Sequence, residues 1–140
     1  MQLGENFKRG IETTLAILDE ALCEFEEWGN GRERRSVFYS EHNTLSPSQR
    51  EQILSEVTGM REMLRELRGD LELEGRIRGV ANNIWGKCAV LAVNLEELKG
   101  KHLTRYGKVP SDLVEYLDPR IEPLIASINH IFRLVDKSRI

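Results

Sequence analysis

The sequence predicts an all-α protein, and three observations predict it. Apolar residues recur at steps of three and four through every long segment. No segment alternates between apolar and polar residues over five positions with the enrichment in β-branched residues that is typical of a strand. Start and stop signals divide the chain into four long helices. We therefore predict one domain over residues 1–140, an up-down-up-down antiparallel four-helix bundle with a long first connection, a kinked last helix and helices at about 3–28, 47–68, 71–104 and 111–137.

The first predicted helix covers about residues 3–28 and is amphipathic. Its apolar stripe is Phe7, Ile11, Leu15, Leu18, Leu22 and Phe25. Acidic residues fill the positions between them, and Gly29 is expected to end the helix.

Residues 29–46 form a connection that is unusually long for a compact bundle. It contains Val37, Phe38 and Tyr39, which are costly to leave in water. We therefore expect this segment to fold back and cap one end of the bundle.

We expect a turn at Gly69 and Asp70 between the second and third helices. Ser46, Pro47 and Gln49 have the identities and spacing of a capping box that starts the second helix. The core stripe of the third helix is Ile77, Val80, Ile84, Cys88, Leu91, Leu95 and Leu98, although Gly75 and Gly79 weaken its first turns.

The last helix is expected to begin after Ser111, a plausible N-cap. Asp118-Pro119 offers a second start, so residues 111–117 form a separate short turn in an alternative interpretation. Pro123 is expected to kink the early part of the helix.

The third helix has a second apolar face opposite its core stripe. At 100° per residue this face contains Gly79, Gly86, Ala89, Val90 and Val93. A helix that is apolar on every side is normally covered on every side. Two interpretations stay open: residues 29–46 or Trp85 lie across this face, or two copies of the chain pair through it as a homodimer.

Composition and charge exclude several function classes. The net charge is −3 and the isoelectric point is about 5.7, which makes nucleic acid an unlikely partner. No apolar run is long enough to span a membrane, and the N-terminal sequence does not have the pattern of a signal peptide. The two cysteines, Cys23 and Cys88, are expected to be reduced, buried thiols. We therefore predict a cytoplasmic protein.

The sequence contains no recognisable catalytic or metal-binding motif. His42, His102 and His130 each lack a glutamate three residues earlier, which a ferritin-like site needs. There is no HExxH, Walker or GxGxxG motif. We therefore predict no metal, no cofactor and no catalytic residue.

An exposed histidine on a helical bundle of this length resembles the phosphotransfer domains. The resemblance implies that His130 would be the phosphoryl acceptor. That family places lysine and glycine three and four residues after the histidine, whereas Arg133 and Leu134 stand there in this chain.

The connection also contains a cluster of basic and aromatic residues: Arg32, Arg34, Arg35, Tyr39 and His42. The spacing of Arg35 and His42 resembles the Arg-x4–6-His signature of the small helical HEPN ribonucleases, which implies an anion or RNA site. In that family the pair lies near a later helix. The alternative interpretation is a solvated basic loop that pairs with the acidic first helix.

These observations favour a non-catalytic protein–protein interaction or self-associating module. The alternative is an RNA-processing (HEPN-like) or phosphotransfer bundle that uses residues 32–42 or His130.

Overall fold

The computed structural model describes residues 2–136, and all regular elements within them are helical. The α-helices are α1 (Glu5–Gly29), α2 (Pro47–Asp70), α3 (Val80–Glu96) and α4 (Ser111–Asp136), and a 3-10 helix, Gly100–Tyr106, lies between the last two. The described range contains no strand, so the all-α class is confirmed. The four-helix arrangement with up-down topology stays a prediction.

The chain divides into two compact units, Met1–Arg76 and Ile77–Ile140. The first contains α1 and α2, and the second contains α3, the 3-10 helix and α4. None of the helices in residues 2–136 is long and apolar enough to cross a membrane.

In the first unit α1 packs against α2 around Leu22 and Val57, which are almost completely buried. An ion pair between Glu26 and Arg61 joins the same two helices. A Cβ on Gly29, the last residue of α1, would lie 2.8 Å from a methyl carbon of Leu54, so a larger residue there would displace the Leu54 side chain.

The predicted capping box at the start of α2 is present. The Gln49 backbone N–H donates to Ser46 Oγ at 3.1 Å, and the Ser46 N–H donates to Gln49 Oε1 at 2.9 Å. Two N–H groups at the helix start are satisfied in this way.

The prediction that the third helix begins near residue 71 is wrong, because α3 begins at Val80. Glu72 and Gly75 have positive φ angles of 53° and 84°, which interrupt a helix. The Arg68 guanidinium, which donates to the carbonyl of Leu73 at 3.3 Å, holds this segment at the end of α2. The Leu73 side chain is buried there.

The second unit is an antiparallel pair of helices. The early part of α3 meets the late part of α4, where Trp85 packs on Phe132. Gly100, shortly after the end of α3, meets the early part of α4, where its N–H donates to Asp118 Oδ1 at 2.9 Å. Cys88 and Ile121 are the buried apolar side chains that the structure describes in this unit.

The third helix also ends earlier than the predicted residue 104. It ends at Glu96, and Lys99 has an extended backbone with φ −68° and ψ 148° before the 3-10 helix starts. The Lys99 ammonium pairs with both Glu96 and Glu122, which fixes this break against α4.

The last helix is continuous from Ser111 to Asp136, so residues 111–117 are not a separate turn. Pro119 and Pro123 lie inside it, and both are exposed. Water can therefore satisfy the carbonyl groups that lose their helical donors. A kink at these prolines stays a prediction, and residue 137, the predicted helix end, lies outside the described residues.

Parts of the predicted core stripes are not buried. Ile77 is fully exposed because it precedes α3, and Phe7 and Leu91 are also exposed on their helices. Both units consequently carry apolar surface that is not packed in the described structure.

Candidate functional site

The second face of α3 was predicted to contain Gly79, Gly86, Ala89, Val90 and Val93. The placement of Gly79 is wrong, because it precedes α3 as its N-cap with an extended backbone of φ −72° and ψ 120°. The other four residues lie on α3, and the face that they define is open. The side chains of Val90 and Val93 are 61% and 60% exposed, and Ala89 is exposed as well. A Cβ on Gly86 would meet no atom within 4 Å. The opposite side of the helix carries buried Cys88.

A shallow groove of about 560 Å³ runs along this face and has mostly apolar walls. Its lining residues are Asn82, Asn83, Gly86, Lys87, Val90 and Leu91. The asparagines and Lys87 were not part of the predicted face. Asn83 and Asn82 lie three and four residues before Gly86, and Lys87 lies next to it. Helical spacing would therefore have identified all three from the sequence.

Trp85, one of the residues expected to lie across the second face, packs elsewhere. Its ring lies 5.1 Å from that of Phe132 on α4, centroid to centroid. It therefore belongs to the packed side of α3.

The connection between α1 and α2 contains a short hairpin, which we define as residues 32–43. Arg35 and Ser40 form an isolated antiparallel bridge, and the Ser36 N–H donates to the Tyr39 carbonyl at 2.7 Å. The Glu41 N–H donates to the Arg34 carbonyl at 2.9 Å.

Asn43 fastens the hairpin to the end of α1. Its side-chain amide donates to the Trp28 carbonyl at 2.8 Å, and its backbone N–H donates to Glu33 Oε2 at 2.7 Å. The expected fold-back therefore occurs on the C-terminal end of α1. That the segment caps one end of a four-helix bundle stays a prediction.

The hairpin does not bury its apolar tip, contrary to our expectation. Val37 and Phe38 are 91% and 101% exposed, and Tyr39 is exposed as well. The turn from Ser36 to Tyr39 directs the two middle side chains away from the stem.

Two arginines of the predicted anion or RNA site pair with carboxylates of the chain. Arg34 pairs with Glu27 at 3.2 Å, which raises the pKa of Arg34, and Arg35 pairs with Glu33 at 2.7 Å. The Asn43 N–H, followed by Arg35, lowers the pKa of the Glu33 carboxyl. These contacts agree with the alternative of a basic loop that pairs with acidic residues. Arg32 is exposed.

Tyr39 and His42, the remaining residues of that predicted site, line a cleft of about 450 Å³ on the hairpin. The residues around it are Trp28, Tyr39, Ser40, Glu41, His42, Asn43, Thr44 and Leu45, and we call it the Glu41 cleft. Sequence reasoning missed Trp28 and Glu41. No local signal connects these two residues, because the fold-back of the hairpin brings them together.

The two remaining histidines belong to the second unit. His130 is exposed on α4, and His102 lies in the 3-10 helix. Within residues 2–136 no group of three or more histidine, cysteine or acidic side chains could hold a metal ion. Cys88 is buried as expected, whereas Cys23 is exposed.

No protein-family model matches the chain, and no curated protein or solved structure matches it significantly. The function must therefore be inferred from the two surfaces described above, the second face of α3 and the hairpin.

Proposed function

We propose that this protein is a non-catalytic interaction module that forms a homodimer through the second face of α3. The observation that supports this most strongly is the exposure of Val90 and Val93 on a helix whose residues 88–93 are all apolar. Apolar residues that remain exposed side by side on one face typically mark an interaction surface.

The residues of this face favour a second copy of the same chain. Gly86 and Ala89 leave little side chain between two helix backbones, so two helices can approach closely. A two-fold axis places the same patch on both sides of the interface, so a self-complementary face is sufficient. Asn82 and Lys87, at the border of the groove, supply the polar rim that such interfaces have.

The small core of the second unit gives a further reason for association. Among residues 77–136, Cys88 and Ile121 are the buried apolar side chains, whereas Leu91, Leu124 and Ile131 are exposed. Helices in proteins derive most of their stability from packing an apolar face. A second copy would bury part of the surface that this unit leaves in water.

The proposal includes two further features that rest on the sequence. One is an up-down-up-down four-helix bundle over residues 1–140, which the helical periodicity favours. The other is a cytoplasmic location, which the free thiols of Cys23 and Cys88 favour.

The test is the mass of the protein in solution, measured by size exclusion with light scattering. Wild type is expected at twice the chain mass of 16.1 kDa, and Gly86→Glu and Val93→Glu are each expected at the chain mass. A charge buried without a partner makes the paired state costly in both variants.

Ala126→Glu is the matched control, because it places the same charge on an exposed position of α4 and should leave the dimer intact. Circular dichroism must show that all three variants remain helical. A wild-type protein that stays at the chain mass at high concentration contradicts the proposal.

A further inference from the structure

The Glu41 cleft is a concave site on the first unit that the proposed dimer does not use. Its volume of about 450 Å³ lies in the range of about 300–1,000 Å³ that ligand sites occupy. Trp28 and Tyr39 contribute aromatic walls, and Glu41 contributes the carboxylate.

The carboxylate of Glu41 is held in position from several directions. The Arg34 backbone N–H donates to Oε1 at 2.8 Å, and the Tyr39 hydroxyl donates to Oε2 at 2.9 Å. The side chain of Trp28, acting as a hydrogen-bond donor, also lowers the pKa of this carboxyl. The site is therefore preorganised, and a ligand would not have to order it.

These contacts keep Glu41 ionised without neutralising its charge. They lower the pKa of the Glu41 carboxyl, with the Arg34 N–H as the largest cause and the Trp28 hydrogen bond next. All three donors are neutral groups, and the Arg34 guanidinium forms its ion pair with Glu27. The positive charge of Arg34 also lowers the pKa of Glu41, as the last of the causes. Glu24 adds negative charge nearby, where it raises the pKa of Tyr39.

We propose that the Glu41 cleft binds the guanidinium group of an arginine side chain from a partner protein. A guanidinium ion can donate to the free lone pairs of a fixed carboxylate and stack on aromatic rings at the same time. The tyrosine and the tryptophan that line the cleft together with Glu41 provide those rings. The exposed tip residues Val37 and Phe38 stand beside the cleft on the same hairpin and offer apolar contacts to a protein segment.

The binding test uses the tripeptide acetyl-Gly-Arg-Gly-amide and two-dimensional ¹H–¹⁵N NMR of the full chain. The signals of the Trp28 indole N–H and the Arg34 amide should shift, with a dissociation constant of about 1–10 mM, as expected for a single side chain. The same tripeptide with citrulline, the neutral isostere of arginine, should bind at least about tenfold more weakly, because it lacks the charge. Equal binding of the two tripeptides overturns the proposal.

A variant isolates the carboxylate. Glu41→Gln keeps the shape and the acceptor oxygen for the Arg34 N–H but removes the charge, so binding should weaken about tenfold or more. Glu62→Gln, an exposed carboxylate on α2, is the matched control and should bind as wild type does. Unchanged binding by a folded Glu41→Gln variant overturns the proposal, and the citrulline comparison decides it on wild type if this variant does not fold.

A second ligand distinguishes a protein segment from a free small molecule. Tighter binding of the tripeptide than of methylguanidinium supports a protein partner, because the backbone and the hairpin tip would then contribute. Equal binding of the two overturns the protein partner and assigns the cleft to a free guanidinium compound. Neither result depends on the oligomeric state. The proposal for the cleft and the proposal for the dimer are therefore tested independently.

Discussion

Trp85 and Phe132 face each other across the second unit, with ring centroids 5.1 Å apart and ring planes inclined by 32°. The centroid distance of this tilted contact lies within the range of about 4.5–7 Å that favourable aromatic pairs have. The contact places the largest side chain of α3 on the side that packs against α4. The second face of the same helix carries Ala89, Val90 and Val93, which are apolar and exposed.

Phe132→Ala is expected to lower the free energy of unfolding by about 2 kcal/mol. This is less than the cost of removing a fully buried phenylalanine, because both rings are only partly buried. Chemical denaturation followed by circular dichroism measures the change. His130→Ala, at an exposed position two residues earlier, should change the stability by less than about 0.5 kcal/mol. Equal effects of the two substitutions would show that the aromatic contact is not stabilising.

Gly100→Ala should destabilise the second unit by about 1–3 kcal/mol. A Cβ at this position would lie 2.5 and 2.8 Å from the two methyl carbons of Val114, so that side chain would have to move. Thermal unfolding measures the loss, and adding Val114→Ala to Gly100→Ala should recover part of it. Gly59→Ala in α2 is the control and should stabilise its helix, because its Cβ meets no atom within 4 Å.

Gly86→Ala should have two opposite effects. It should stabilise the folded monomer by about 1 kcal/mol, since glycine is unfavourable inside a helix and the added methyl group meets open space. It should weaken the proposed dimer, because the methyl group separates the two backbones. Denaturation at low protein concentration measures the first effect, and sedimentation at several concentrations measures the second. A dimer that is unchanged or tighter would exclude Gly86 from the closest approach.

The hairpin should loosen in acid before the helices unfold. The pKa values of Glu33 and Glu41 both lie below their ordinary value of 4.5, mainly because each carboxylate accepts a backbone N–H. Their contribution to hairpin stability is therefore complete above about pH 4.5 and is lost as the pH falls through the lowered values.

The NMR signals of the Arg34 and Asn43 amides, which donate to these carboxylates, report this loss directly. Glu41→Gln should remove the pH dependence of the Arg34 signal and preserve that of Asn43. Midpoints at or above pH 4.5 would contradict the assignment.

Local signals in the sequence were sufficient for the helix class and for several helix ends. The capping box of Ser46 and Gln49 involves residues three apart, so its geometry follows from the local sequence. The late start of α3 was not predictable in the same way. It depends on the positive φ of Glu72 and on a long-range hydrogen bond. In that bond the Glu74 backbone N–H donates to the carboxylate of Glu12, 62 residues earlier.

The two candidate surfaces also differ in how far the sequence alone predicts them. The second face of α3 follows from helical spacing alone, so the sequence is sufficient to identify Gly86, Val90 and Val93 as its members. The Glu41 cleft requires the pairing of Arg34 with Glu41 and the contact of Asn43 with Trp28. Neither contact has a periodic signal in the sequence.

The pairing of two α3 helices is tested most directly by disulfide trapping across the proposed two-fold axis. Cysteine is introduced at Gly86 or at Ala89, one at a time, in a Cys23→Ser background that removes the exposed thiol. Close approach brings the two introduced cysteines within the Cα separation of about 4.4–6.8 Å that a disulfide requires.

Mild oxidation should then produce a covalent dimer rapidly at one of these positions, seen at twice the chain mass on a non-reducing gel, and only slowly for Ala126→Cys on α4. If both introduced cysteines cross-link no faster than Ala126→Cys, the second face of α3 is not a dimer interface.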